Sequence, residues 1–215
     1  MSDSLTPRFR TRVKVCGLTR EQDVDAAVAA GADALGFVMW PGSKRGIDES
    51  RLAALAERVP AFVSRVGLFV DQPPELIARC AEHLDLLQFH GDESPEACAN
   101  APRPWIKALR MRDGLDLRAA ATHYHNAQAL LLDAYRPGLP GGTGTTFDWS
   151  RIPANLAKPV ILAGGLSADN VALAIARVAP FAVDVSGGVE ASPGVKDSEH
   201  IMSFVEAVRQ ADARH

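Results

Sequence analysis

Long apolar runs are missing from this chain. No stretch approaches the roughly 18 uninterrupted apolar residues that a membrane-spanning helix needs, and the N-terminal MSDSLTPRFRTR has no apolar segment of the kind a secretory signal carries. Neither a membrane span nor a signal peptide is expected. A strong charge of either sign is missing too: 23 Lys and Arg stand against 26 Asp and Glu, for a formal net charge of -3. With no Lys/Arg run either, nucleic acid and anionic membranes are not expected partners, and a small molecule is. Cysteines are few: Cys16, Cys80 and Cys98 are an odd number at wide spacing, with no CxxC pair. That excludes a disulfide framework, gives no zinc motif and fits a reducing, cytoplasmic setting. Internal repeats, low-complexity segments and linkers are also lacking, so one domain over 11–215 is expected behind a flexible tail at 1–10.

What the chain does have is alternation, with 47% of its 215 residues apolar. Eight short apolar runs recur: RVKVCGL (12–18), ADALGFVMW (32–40), SRVGLFVD (64–71), LDLLQFHG (84–91), WIKALRM (105–111), ALLLDAY (129–135), KPVILAGG (158–165) and FAVDVSGG (181–188). Each is followed by a stretch of helical period, REQDVDAAVAAG first and DSEHIMSFVEAVRQAD last, the weakest being SRIPANL after the sixth run. Near-continuous apolar strands imply a parallel sheet covered on both faces, and strict alternation implies right-handed crossovers. Eight such units in this length predict an α/β fold, a single-domain (β/α)₈ TIM barrel. Thr19, Asp48, Ser94 and Ser198 stand where helix N-caps or first turns are expected.

The polar residues that stand out sit where strands end: Cys16, the PGSKRG stretch, Asp71, Gln88, His90, Arg110, Asp133, Gly164, Gly165, Asp184 and Ser186. In a barrel that rim carries the active site. In KVCGLTR, residues 14–20, Lys14 and Cys16 share one face of the first strand. Seven blocks, KVCGLTR, GFVMWPGSKRGI (36–47), LLQFHGDESPE (86–96), LLLDAY (130–135), PGGTGTTFDWS (140–150), ILAGGLSADNV (161–171) and DVSGGVEASPGVKD (184–197), resemble the phosphoribosylanthranilate isomerase family. The resemblance runs in order through nearly the whole chain. It implies a barrel that performs the Amadori rearrangement of N-(5-phosphoribosyl)anthranilate in tryptophan biosynthesis without metal or organic cofactor, Cys16 being similar to the family's general base and Asp133 to its general acid. Where the family usually carries two serines this chain has Ser186 and Gly187, leaving backbone N–H donors but no hydroxyl at 187.

Lys14 is expected to bias Cys16 toward thiolate, and its own burial to call for a carboxylate, Asp184. Gly164 and Gly165 after the seventh strand, with Ser186, Gly187 and Gly188 after the eighth, fit the phosphate site that barrels build there. Arg45 is the candidate grip on the anthranilate carboxylate, since a guanidinium holds a carboxylate with two parallel hydrogen bonds. Gln88 and His90, on one face of the fourth strand, are expected to line the pocket. PGGTGTT lacks the GK[ST] ending and the phase of a nucleotide loop, and is expected instead to cover the substrate, with Phe147 as anchor. Only His90 of six histidines falls on the rim, so no metal site is expected. Two other readings are a histidine-pathway aminoaldose isomerase, whose paired aspartates do not match Cys16, and a barrel that binds phosphorylated metabolites without turnover. A phosphorylated sugar is the expected partner, and monomer or homodimer the expected assembly.

Overall fold

The computed structural model describes residues 10–134 and 146–214. Eight parallel strands close into a barrel in chain order: β1 (Arg12–Cys16), β2 (Ala34–Val38), β3 (Ser64–Phe69), β4 (Leu86–Phe89), β5 (Trp105–Arg110), β6 (Leu130–Asp133), β7 (Val160–Leu162) and β8 (Ala182–Val185). The ring closes where β1 pairs with β8, Lys14 lying opposite Asp184. Every sequence-expected strand is present, in the expected fold.

Alternate residues face in and out, and the two sets differ in chemistry. Outward-facing Val13, Val15, Leu35, Phe37, Leu87, Phe89, Val183 and Val185 merge with helix residues such as Leu52, Ile77, Val171 and Phe204 into one core. Inward, Ile106, Ala108, Leu131, Ile161 and Ala182 form a small apolar plug, while Lys14, Gln88, Asp133 and Asp184 bring polar groups into the barrel, each less than a tenth exposed.

The surrounding helices are α1 (Glu21–Ala30), α2 (Glu49–Ala56), α3 (Pro74–Cys80), α4 (Pro95–Ala99), α5 (Leu117–His123), α6 (Val171–Val178) and α7 (Ser198–Ala213). After β8 comes a small antiparallel hairpin, β9 (Glu190–Ser192) and β10 (Val195–Lys196). The sixth expected helix is corrected to a single 3₁₀ turn at Trp149–Arg151. SRIPANL carries Pro153, which has no N–H to continue a helix, and too few apolar positions to dock one. Asp48 and Ser94 cap α2 and α4 as expected. Thr19 does not cap α1, whose N-cap is Arg20 without a side-chain bond; its hydroxyl donates instead to the Gly194 carbonyl at 2.6 Å. For α7 the cap is Asp197, and Ser198 opens the first turn.

Of the expected tail, residues 1–9 lie outside the described residues, whereas Arg10 is tied to Asp33, its Nη1 donating to Oδ2 at 2.9 Å. The expected covering loop falls largely on 135–145, also outside the described residues. Phe147 beyond it is half-buried and packs against the core.

Candidate active site

At the C-terminal mouth of the barrel one pocket gathers Cys16, Arg45, Gln88, His90, Asp133, Gly164, Gly165, Asp184, Ser186, Gly187 and Gly188, whereas Asp71, also singled out at a strand end, does not line it and instead accepts from the Asp92 N–H at 2.8 Å. Strand ends deliver them. Cys16 closes β1, Asp133 closes β6, and Gln88 and His90 sit two apart on β4 and just past it, facing the same side.

Room for the thiol comes from Gly36, which pairs with Cys16 across β1 and β2. A Cβ there would stand 2.7 Å from Cys16 Sγ and 2.9 Å from Lys14 Nζ, too close for any side chain. One layer below the thiol, Lys14 Nζ donates to Asp184 Oδ1 at 2.7 Å, both groups buried. Burial opposes the ammonium, but Asp184 and Cys16 more than offset it and raise its pKa. The pairing matches the sequence reading, and Lys14 pulls Cys16 toward thiolate as expected, but that pull is not the largest influence on the thiol. Burial pushes the thiol up, Lys14 only partly pulls it back, and Asp184 adds to the upward push. The net shift of the thiol is upward because burial outweighs the pull of Lys14.

Asp133 is linked to a histidine. His90 Nε2 lies 3.3 Å from Asp133 Oδ2, and the Gln88 amide Nε2 lies 2.9 Å from His90 Nδ1. With the amide N–H donating to Nδ1, a neutral imidazole carries its proton on Nε2, the nitrogen that faces Asp133. Gln88 Oε1 is buried with no partner among the described residues. From the other side Arg110 lines the pocket and donates Nη2 to the His90 carbonyl at 3.1 Å.

The two glycine loops touch. A Cβ on Gly188 would fall 1.9 Å from the Leu166 carbonyl oxygen, and one on Gly164, whose φ is 83°, would fall 2.3 Å from the Ala134 nitrogen. Only glycine lets the turns after β7 and β8 pack this closely against their neighbours. Beside the turn after β8, Arg45 is already engaged: its Nε and Nη2 donate to the two carboxylate oxygens of Glu190 at 2.7 Å each.

Sequence reasoning missed several contributors. Trp40 and Val70 pack beside Cys16, Val38 and Leu68 as an apolar wall of the pocket; inward parity on β2 and β3 was the available signal. Glu190 and Lys196, inside a quoted block, bear on the site from behind Arg45 and Ser186, and their pairing through a hairpin has no local signature. Among the described residues there is no cluster of three or more metal-ligating side chains and no helix long and apolar enough to cross a membrane.

A parallel barrel whose mouth gathers a thiol, a carboxyl tied to a histidine, and two touching glycine turns defines an acid–base enzyme for a small anionic substrate. The family model described as N-(5'phosphoribosyl)anthranilate (PRA) isomerase matches residues 13–207. The chain belongs to that family, whose activity is a step of tryptophan biosynthesis. It is similar to the N-(5'-phosphoribosyl)anthranilate isomerase of Chromohalobacter salexigens, with 71% identity over 97% of this chain and 99% of that one. The Pseudomonas putida enzyme is 55% identical over 93% and 98%. Among solved structures, the Thermotoga maritima phosphoribosyl anthranilate isomerase is 40% identical with a TM-score of 0.86, covering 93% of this chain and 99% of that one. A phosphoribosyl anthranilate isomerase in complex with reduced 1-(o-carboxyphenylamino)-1-deoxyribulose 5-phosphate is 38% identical at a TM-score of 0.83, with the same coverage.

Proposed function

We propose that the isomerase activity of this chain, from N-(5-phosphoribosyl)anthranilate to 1-(2-carboxyphenylamino)-1-deoxyribulose 5-phosphate, runs on Asp133 as general acid and Cys16 as general base. Asp133 protonates the ring oxygen of the ribose, the ring opens, and an iminium forms; Cys16 then removes the proton on C2 to give an enolamine that becomes the ketone. The observation that carries this reading is that thiol, carboxyl and both glycine turns line one pocket. His90 orients the Asp133 carboxyl, and the unpartnered Gln88 Oε1 accepts from a sugar hydroxyl. The turns at Gly164–Gly165 and Ser186–Gly188 take the phosphate. Arg45 meets the anthranilate carboxylate with the part of its guanidinium that Glu190 does not use, and the wall of Val38, Trp40, Leu68 and Val70 takes the aromatic ring.

Burial favours the neutral thiol, so catalysis draws on the minor thiolate form of Cys16. The iminium charge that develops beside the thiolate stabilises it as the reaction proceeds. Fluorescence loss on adding freshly made phosphoribosylanthranilate tests the assignment. Asp133→Asn and Cys16→Ser should each lower kcat by about 10²- to 10⁴-fold; normal turnover in both would remove the mechanism.

We place the chain in the cytoplasm, since its three cysteines are all buried and free; recovery of the native protein from an oxidising compartment would contradict that. For assembly the reading is monomer or homodimer. Among the relatives of known structure are monomers generated from the dimeric Thermotoga maritima phosphoribosylanthranilate isomerase, 36% identical at a TM-score of 0.81 and covering 93% of this chain and 98% of that one. Light scattering on the purified chain decides between the two.

A further inference from the structure

The β9–β10 hairpin reaches back across the mouth and sets one carboxylate between two cations. Glu190 accepts from Arg45 at 2.7 Å on each oxygen, and its Oε1 also accepts from Lys196 Nζ at 2.9 Å. The same ammonium donates to the Ser186 carbonyl at 3.1 Å and lies 3.4 Å from its hydroxyl. Lys196 is fully buried at its side chain and Glu190 nearly so, and neither belongs to the pocket lining. Burial works against Glu190, yet the two cations together hold its carboxyl below the usual range.

The hairpin is anchored from outside the mouth. Arg20 Nη2 donates to the Lys196 carbonyl at 2.9 Å, and the Lys196 N–H donates to Asp23 Oδ2 at 3.2 Å. Gly17, immediately after Cys16, shows how tightly the parts meet: a Cβ there would stand 2.5 Å from Arg45 Cδ and 3.1 Å from Ser186 Oγ. Arg45 and the Ser186 turn therefore meet beside Gly17 and share a single buried support.

We propose that Glu190 is a positioning residue that ties Arg45 to the Ser186 turn through Lys196, so that one carboxylate sets the grip on both anionic ends of the substrate. The proposal rests on the reading that Arg45 meets the anthranilate carboxylate and that the Ser186–Gly188 turn meets the phosphate. Glu190 does not touch the substrate, and two cations to one carboxylate leave positive charge facing an anionic ligand.

Glu190→Gln keeps the length of the side chain but removes the charge that holds both cations. The expected result is a rise of about tenfold in KM with kcat changed by less than about threefold, since binding and not chemistry is affected. The inhibition constant of inorganic phosphate should rise as well, by about threefold or more. A purely structural role would lower the folded fraction and leave KM and the phosphate constant where they were, and that result overturns the proposal. Arg45→Met separates the two levels. If it leaves KM unchanged, the reading of Arg45 fails and the proposal with it; if it raises KM while Glu190→Gln does not, the proposal alone fails. Should Glu190→Gln not fold, Lys196→Gln leaves the Arg45–Glu190 pair in place and should still weaken inorganic phosphate; unchanged phosphate inhibition overturns the proposal by that route.

Discussion

A thiol that burial pushes up and a lysine that pulls it down, two residues earlier on the same strand face, make the pH behaviour of this site a property of residues. In Lys14→Met the downward pull is gone, so the thiolate is rarer at neutral pH and kcat/KM there should fall. The pH dependence of iodoacetamide alkylation of Cys16 should move to higher pH, and no upward movement would refute the role of Lys14. At this scale much was legible: Lys14, Cys16 and Asp184 follow from strand parity and the need of a buried ammonium for a carboxylate. The direction of the shift was not, because it depends on how fully the surroundings exclude water. Trp40 escaped notice for a related reason, since an aromatic side chain past a strand end reads as ordinary core until the wall it completes is seen.

Among the elements, the turns after β7 and β8 depend on contacts that only glycine allows. Gly188→Ala would drive a Cβ into the Leu166 carbonyl, a backbone atom that cannot swing aside. Separation of the two turns by a fraction of an ångström or more should cost up to about a hundredfold in kcat/KM, with inorganic phosphate inhibition weakened in parallel. Unaltered phosphate inhibition would show that the turns do not meet the anion. The loops after β3 and β4 are fixed differently. On β5, Lys107 Nζ donates to Glu93 Oε2 at 2.7 Å and to the Gly91 carbonyl at 2.8 Å, while Glu93 Oε1 accepts from the Asp71 and Gly91 N–H groups. Lys107→Met strands a buried carboxylate and should lower stability by about 3–5 kcal/mol in urea unfolding. Strand positions were readable because each strand is a short apolar run. The missing sixth helix was less so: a 3₁₀ turn has too few residues to show a period, and Pro153 marked only where a helix could not continue.

For the molecule as a whole, the two cysteines outside the site contribute to its alkaline stability. Burial holds the Cys80 and Cys98 thiols at about 11, against an ordinary value of 9.0 in an unfolded chain. Between those values the folded chain binds more protons than the unfolded one, so stability is full below about 9 and falls as pH rises toward about 11. Urea midpoints across that window should drop, and the slope should flatten in the double variant Cys80→Ala, Cys98→Ala; equal slopes would contradict this. The barrel's closure has a consequence for synthesis. Lys14 and Asp184 are separated by 170 positions in sequence and lie side by side at the β1–β8 seam. A ribosome must deliver nearly the entire polypeptide before the β1 side of the pocket acquires its β8 wall, so prematurely terminated products carry no partial turnover, and appearance of activity times the final stitching of the cylinder.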